Sequence, residues 1–345
     1  MSNKLLLITL PLFVATLSCE NHIYLDDFAP EKLLTLQGNL MAEDSLHTIY
    51  LCMSYVSEFR PVSSAKLSCY VNGNLVGGSS EVRSYKDWPE SKISEMSFKA
   101  VFHAGDEVRI EVEADGQRAS VTGIVPQPAS IERVDTTMVE RLADDGMTQK
   151  MTRYDIRISD RVGEKNKYRI MLLYRGRLWV KWAADGNEEG YVTGQTIGYA
   201  NEIIGADNSL DPMLHKDISI GDTGNNSSNY TNDLNIFSDD SFSDRGCSIT
   251  LLSQLIRYYR GTYEYSYVSN TATLAEDRQV RVRLISMTSH TYTYMSNWQY
   301  DNSDLADWSM STSIPYPDNV DGGIGYVAFS MPVDYVIELP EAEIF

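Results

Sequence analysis

From Glu107 to Glu113 the chain reads Glu-Val-Arg-Ile-Glu-Val-Glu, a strict period of two that sets Val108, Ile110 and Val112 on one face and charges on the other. Such a segment is a strand with one buried and one wetted face. Further strand candidates lie at Leu33–Leu40, Thr48–Val56, Lys66–Val71, Leu75–Val76, Met96–Phe102 and Ala119–Ile124. Turn formers stand between the runs, at Asn72-Gly73-Asn74, Gly77-Gly78 and Ala114-Asp115-Gly116. Short strands at this spacing predict packed antiparallel sheets, and residues 30–125 suit an immunoglobulin-like β-sandwich.

The rhythm breaks at Val125-Pro126-Gln127-Pro128, where two prolines remove backbone donors and favour an extended linker. A domain boundary is expected there. The second domain, 129–345, opens with Ile131–Thr137 and shows further alternation at Tyr154–Ile158, Gln279–Leu284 and, rich in tyrosine, Thr262–Val268. Asp207–Asp233 contains Gly224-Asn225-Asn226-Ser227-Ser228-Asn229 and few apolar residues, which predicts a long surface loop. Ser289–Ser311 differs, because Tyr292, Met295, Trp298 and Leu305 allow one amphipathic helix. The expected fold is therefore mainly β: two tandem β-sandwich-like domains, the first immunoglobulin-like, the second larger with long loops and one short helix.

The N-terminus carries a different pattern: Lys4, the apolar run Leu5–Leu17, then Ser18 and Cys19. A membrane-spanning helix needs about 20 apolar residues, whereas this run is shorter and interrupted by Thr9, Pro11 and Thr16. The order reads instead as a lipoprotein signal peptide over residues 1–18, with Cys19 as the lipidated N-terminus and 19–29 as a tether. One acyl chain binds a membrane only marginally, so a stable anchor requires several, palmitate among them.

Composition agrees with an exported globular protein: 345 residues, 43% hydrophobic, formal net charge −19. That charge, with basic residues scattered among acids, makes nucleic acid a poor partner. Besides Cys19 there are Cys52, Cys69 and Cys247. Cys52 and Cys69 lie in neighbouring strand-like runs and are either a disulfide or two buried thiols.

Catalytic signatures are absent from the sequence: GxSxG, HExxH, the phosphate-binding GxxxxGK[ST] and the dinucleotide glycine pattern do not occur. The expectation is a protein that is not an enzyme and needs no cofactor. Asp239-Asp240-Ser241-Phe242-Ser243-Asp244 places Asp239, Asp240 and Asp244 close together as oxygen ligands of the kind calcium takes. The run lacks the glycine and terminal glutamate of an EF-hand, and a solvated turn is the plainer reading. The tyrosines from Tyr263 to Tyr267 read as cross-strand pairs. Trp298, Tyr300 and Trp308, in polar surroundings, are better candidates for contact with a sugar, a peptide or another protein.

Several segments taken together carry a resemblance. They are Leu17-Ser18-Cys19, Lys32-Leu33-Leu34-Thr35-Leu36-Gln37-Gly38, Pro126–Val134, Phe237-Ser238-Asp239-Asp240, Tyr292-Thr293-Tyr294 and Asn319-Val320-Asp321-Gly322-Gly323-Ile324-Gly325-Tyr326. In that order they resemble a family of Bacteroidota outer-membrane lipoproteins, a domain of unknown function encoded beside TonB-dependent transporters. The resemblance implies a lipid-anchored, surface-facing protein of the outer membrane and brings no catalytic residues. It also implies an accessory role to a TonB-dependent transporter. Together with the signal, the β-rich pattern and the absent catalytic motifs, this makes a binding component of nutrient uptake, with a peptide or glycan as ligand, the leading expectation. The alternatives are a structural adhesin or fimbrial subunit that donates a strand and, after it, a surface hydrolase with a dispersed site. Gly322, Gly323 and Gly325 have a reading of their own, backbone that turns sharply or approaches another segment too closely for a side chain.

Overall fold

The computed structural model describes residues 32–55, 58–84, 92–142, 146–161, 163–183, 191–192, 196–214, 232–242, 246–253, 271–301, 316–339 and 342–344. Before the proline linker come β1 (Leu33–Met41), β2 (Leu46–Ser54), β3 (Phe59–Pro61), β4 (Ala65–Val71), β5 (Asn74–Ser79), β6 (Arg83–Ser84), β7 (Ser94–Lys99), β8 (Glu107–Ala114) and β9 (Gln117–Ile124). After it come β10 (Ser130–Leu142), β11 (Thr148–Ser159), β12 (Lys167–Ala183), β13 (Tyr191–Val192), β14 (Thr196–Ile204), β15 (Ile236–Ser238), β16 (Cys247–Ser253) and β17 (Thr271–Met287). Helix α1 (Ser289–Asp301) follows, then β18 (Val320–Asp321), β19 (Gly323–Glu338) and β20 (Ala342–Ile344). The protein is mainly β, as the alternating sequence predicts. The signal segment, the tether 19–29 with Cys19, residues 215–231 of the expected long loop, the Thr262–Val268 run and residues 302–311 of the expected helix lie outside the described residues.

The first core is closed by two sheets. One has the order β18-β9-β8-β4-β5; facing it are β1, β2, β7 and part of β19 in a larger sheet of order β13-β12-β17-β19-β1-β2-β7-β6. Val108, Ile110 and Val112 are fully buried between them, with Leu34, Leu36, Ile49, Leu51, Met96 and Phe98 opposite. Cys52 on β2 and Cys69 on β4 belong to different sheets, and both are free thiols. Burial pushes the Cys69 thiol up to about 11 and that of Cys247 up to about 12, so neither is poised as a nucleophile.

This core also takes in Val320, Val327, Phe329 and Met331 from the far end of the chain. Strand β18 pairs with β9, at Val320↔Val121; the chain then turns and β19 enters the other sheet. Its first half lies parallel to β1, from Leu34↔Gly323 to Met41↔Ser330, and its second half antiparallel to β17, from Met287↔Ser330 to Gln279↔Glu338. The close approach to β1 explains two of the glycines. A Cβ on Gly323 would collide with the Leu34 carbonyl oxygen, and one on Gly325, whose φ is 120°, with that of Leu36.

A second core lies beyond the linker. Tyr154, Ile156 and Ile158 of β11, with Ile249 and Leu251 of β16, pack on Tyr168, Ile170 and Leu172 of β12 and on Val280, Val282 and Leu284 of β17. On the opposite face of β12 and β17, Met171, Ile285 and Met287 form a smaller cluster with Ile236, covered by Leu234 and by Tyr292 and Met295 of α1. Strand β12 is thus packed on both faces here, which erases from Tyr168–Tyr174 the alternation that marks half-exposed strands. The ends of the Asp207–Asp233 segment are tied down: Asp207 forms a bridge with Leu252, and the Asn232 amide donates to the carbonyls of Leu214 (3.1 Å) and Ile236 (2.8 Å).

Candidate functional site

Helix α1 begins where β17 ends. Thr288 caps it, its hydroxyl accepting from the Thr291 N–H at 3.1 Å, and so satisfies a donor that the first turn leaves open. Gln299, buried near the other end, accepts from the Leu234 N–H at 2.8 Å and fastens the helix to the segment before β15. The Thr291 and Tyr326 hydroxyls are 2.9 Å apart, the Tyr294 ring stacks on Tyr326 with centroids 4.9 Å apart, and Gln37 of β1 donates to the Tyr294 hydroxyl at 3.2 Å. The helix is held at three points along its length.

Between α1 and the central sheet a groove of about 510 Å³ remains open. It sits where β19 leaves β1 and joins β17. Its walls are Gln37, Gly38 and Asn39 of β1, Tyr50 of β2, Tyr326 and Ala328 of β19, and Thr291, Tyr294, Met295 and Trp298 of α1, with Ile93, Arg169 and Leu234 completing the lining. Clefts of roughly 300 to 1,000 Å³ with aromatic walls and a few polar groups are the usual form of small-ligand sites.

The charges around the groove are unequally satisfied. Arg283 holds Asp334 through bonds of 2.7 and 2.8 Å, and Arg281 lies 3.7 Å from the same carboxylate. Lys167 donates to Ser238 at 2.9 Å and to Asp240 at 2.6 Å, while its ammonium lies 5.2 Å from the Tyr292 ring centroid. Arg169 is different. Its Nε donates to the Leu234 carbonyl at 3.2 Å, and no acceptor for Nη1 or Nη2 lies among the described residues. Burial lowers its pKa, and no carboxylate among the described residues offsets that.

Of the residues singled out in the sequence, Trp298 lines the groove and is 45% exposed. Tyr300 lies on the same helix, half-buried and away from the lining, and Trp308 is outside the described residues. Asp239 and Asp240 form a 3-10 turn that the protein itself engages. Asp239 accepts from the Asn166 N–H, while Asp240 accepts from Lys167 and the Ser238 hydroxyl. The Lys167 bond, then that of Ser238, brings the Asp240 carboxyl down to about 2. Asp244 is outside the described residues, and among those described no group of three or more His, Cys, Asp or Glu is placed to hold a metal ion. Arg169, Tyr50, Tyr294 and Tyr326 were not named as site residues from the sequence. Gln37, Tyr292, Tyr294 and Tyr326 do fall inside segments that carry the family resemblance, and these distant segments meet around α1.

Two smaller sheets packed on one face of a central sheet, with a helix on its other face beside an aromatic groove, define a mainly β protein. The model of the family described as Domain of unknown function (DUF4249) matches residues 21–334, and the chain belongs to that family. Comparison with curated proteins gives no match. Among the described residues no helix is long and apolar enough to cross a membrane.

Proposed function

We propose that the chain is a lipid-anchored binding component of an outer-membrane nutrient uptake system. It is tethered through Cys19 and presents the α1 groove to a peptide or glycan that a TonB-dependent transporter then takes up. The groove carries this reading: its lining of rings, amides and one cation suits holding a ligand, and Trp298 gives it an exposed aromatic contact. Lys4, the run Leu5–Leu17 and Cys19 support the anchor.

Detergent-solubilised outer membranes from cells making the full chain test it. The wild-type chain should incorporate labelled palmitate and bring down a TonB-dependent transporter, and Cys19→Ala should lose both the label and the membrane fraction. A Cys19→Ala chain that stays in the outer membrane, or a native chain that brings down no transporter, contradicts the proposal.

A further inference from the structure

An acidic chain, net −19, has placed in its groove an arginine, Arg169, that no carboxylate among the described residues holds. Arg169 projects from the face of β12 that α1 covers, on the same side as Met171, whose backbone partner on β17 is Arg283. Of the carboxylates near that face, Asp334 is already held by Arg283 and lies beside Arg281, Asp44 acts on Arg283 as well, and Asp240 is held by Lys167. With Nε engaged by Leu234, what Arg169 has left is the end of its fork, Nη1 and Nη2 side by side. That pair matches the two oxygens of a carboxylate.

The rest of the lining narrows the choice. Asn39 Oδ1 accepts from the Ser330 hydroxyl at 3.1 Å, which leaves the Asn39 amide donors for a ligand carbonyl. The Gln37 amide nitrogen serves Tyr294 and leaves its oxygen for a ligand N–H. Met295, Leu234, Ala328 and the rings of Trp298 and Tyr326 supply apolar surface. A neutral sugar would cover Arg169 and leave its charge without a counter-ion, at a desolvation cost; a carboxylate removes that cost.

Resting on the reading of the groove as a ligand site, we propose that it recognises a short peptide by its free C-terminal carboxylate. The Arg169 fork takes the carboxylate, Gln37 and Asn39 take the peptide amide groups, and the apolar wall takes the terminal side chain.

Calorimetric titration of the full chain with N-acetyl-Ala-Ala-Phe, its C-terminal amide and maltotriose tests this. The acid should bind at least about tenfold more tightly than the amide. Arg169→Gln should remove that preference and leave the weaker amide affinity in place, whereas Trp298→Ala should weaken both peptides. If Arg169→Gln does not fold, the acid-to-amide ratio on the wild-type chain decides alone. Equal affinity for acid and amide overturns the carboxylate proposal and leaves the groove reading standing, and so does binding of maltotriose without either peptide. Acid binding unchanged in Arg169→Gln overturns it as well. Silence from all three probes overturns the proposal and counts against the groove reading too.

Discussion

His47 shows how a single residue ties the first core to pH. It is 4% exposed, stacked at 4.4 Å on Phe102 and 5.4 Å from Phe98, with Nε2 3.2 Å from the Ala100 carbonyl. Burial lowers its pKa below the ordinary 6.5, so the unfolded chain takes up a proton that the folded chain resists. Its stabilising effect is complete above about pH 6.5 and is lost as pH falls below that value. His103 works the other way, since its exposed contact with Glu43 raises its pKa, but solvent screening keeps that contribution small. Urea midpoints of the wild type should fall between pH 7 and pH 5, and His47→Gln, which keeps a donor for Ala100, should flatten that fall. A wild-type midpoint that holds steady over the window would contradict the burial of His47. At this scale the sequence was legible where one face decides: Val108, Ile110 and Val112 are buried as their alternation requires. Arg169 was not legible, because a cation in a strand looks the same whether its partner is water, a carboxylate or a ligand.

Among the elements, β19 has the most to hold in place. It pairs in parallel with β1 along one half and antiparallel with β17 along the other, and its side chains serve the first core on one face and the groove on the other. Gly325 permits the approach to β1. Gly325→Ala adds a Cβ against the Leu36 carbonyl at a φ of 120°, a conformation that costs roughly 1 to 3 kcal/mol for other residues. The variant should lose at least about 1 kcal/mol in urea unfolding at an unchanged m-value. A loss within experimental error would mean that β1 and β19 are not this close. The sequence foretold these glycines as sites of sharp turning or close approach, and it foretold a helix within Ser289–Ser311 from Tyr292, Met295, Trp298 and Leu305, of which Ser289–Asp301 is helical and Leu305 lies outside the described residues. It left β12 unrecognised because Tyr168–Tyr174 is apolar on both faces, with Arg169 as the exception. Nor did any local pattern announce that β19 pairs with β1, since that contact joins residues from opposite ends of the chain.

Across the whole molecule, the groove exists because the chain returns. The segment entered through Lys32–Gly38 meets the closing Gly323–Tyr326, and Tyr294 bridges them by stacking on Tyr326 and bonding Gln37. Segments that together carry the family resemblance thus become one wall in space. The anchor proposal and the ligand proposal meet here, because a tethered protein with an open aromatic groove can concentrate a nutrient at the membrane only if the groove is where the ligand sits. Hydrogen–deuterium exchange of the full chain, with and without a mixture of short peptides and oligosaccharides, tests that claim most directly. Exchange should slow in β1, in α1 and in β19 from Gly323 to Ser330. Protection confined to other segments, or no protection at saturating ligand, would contradict it.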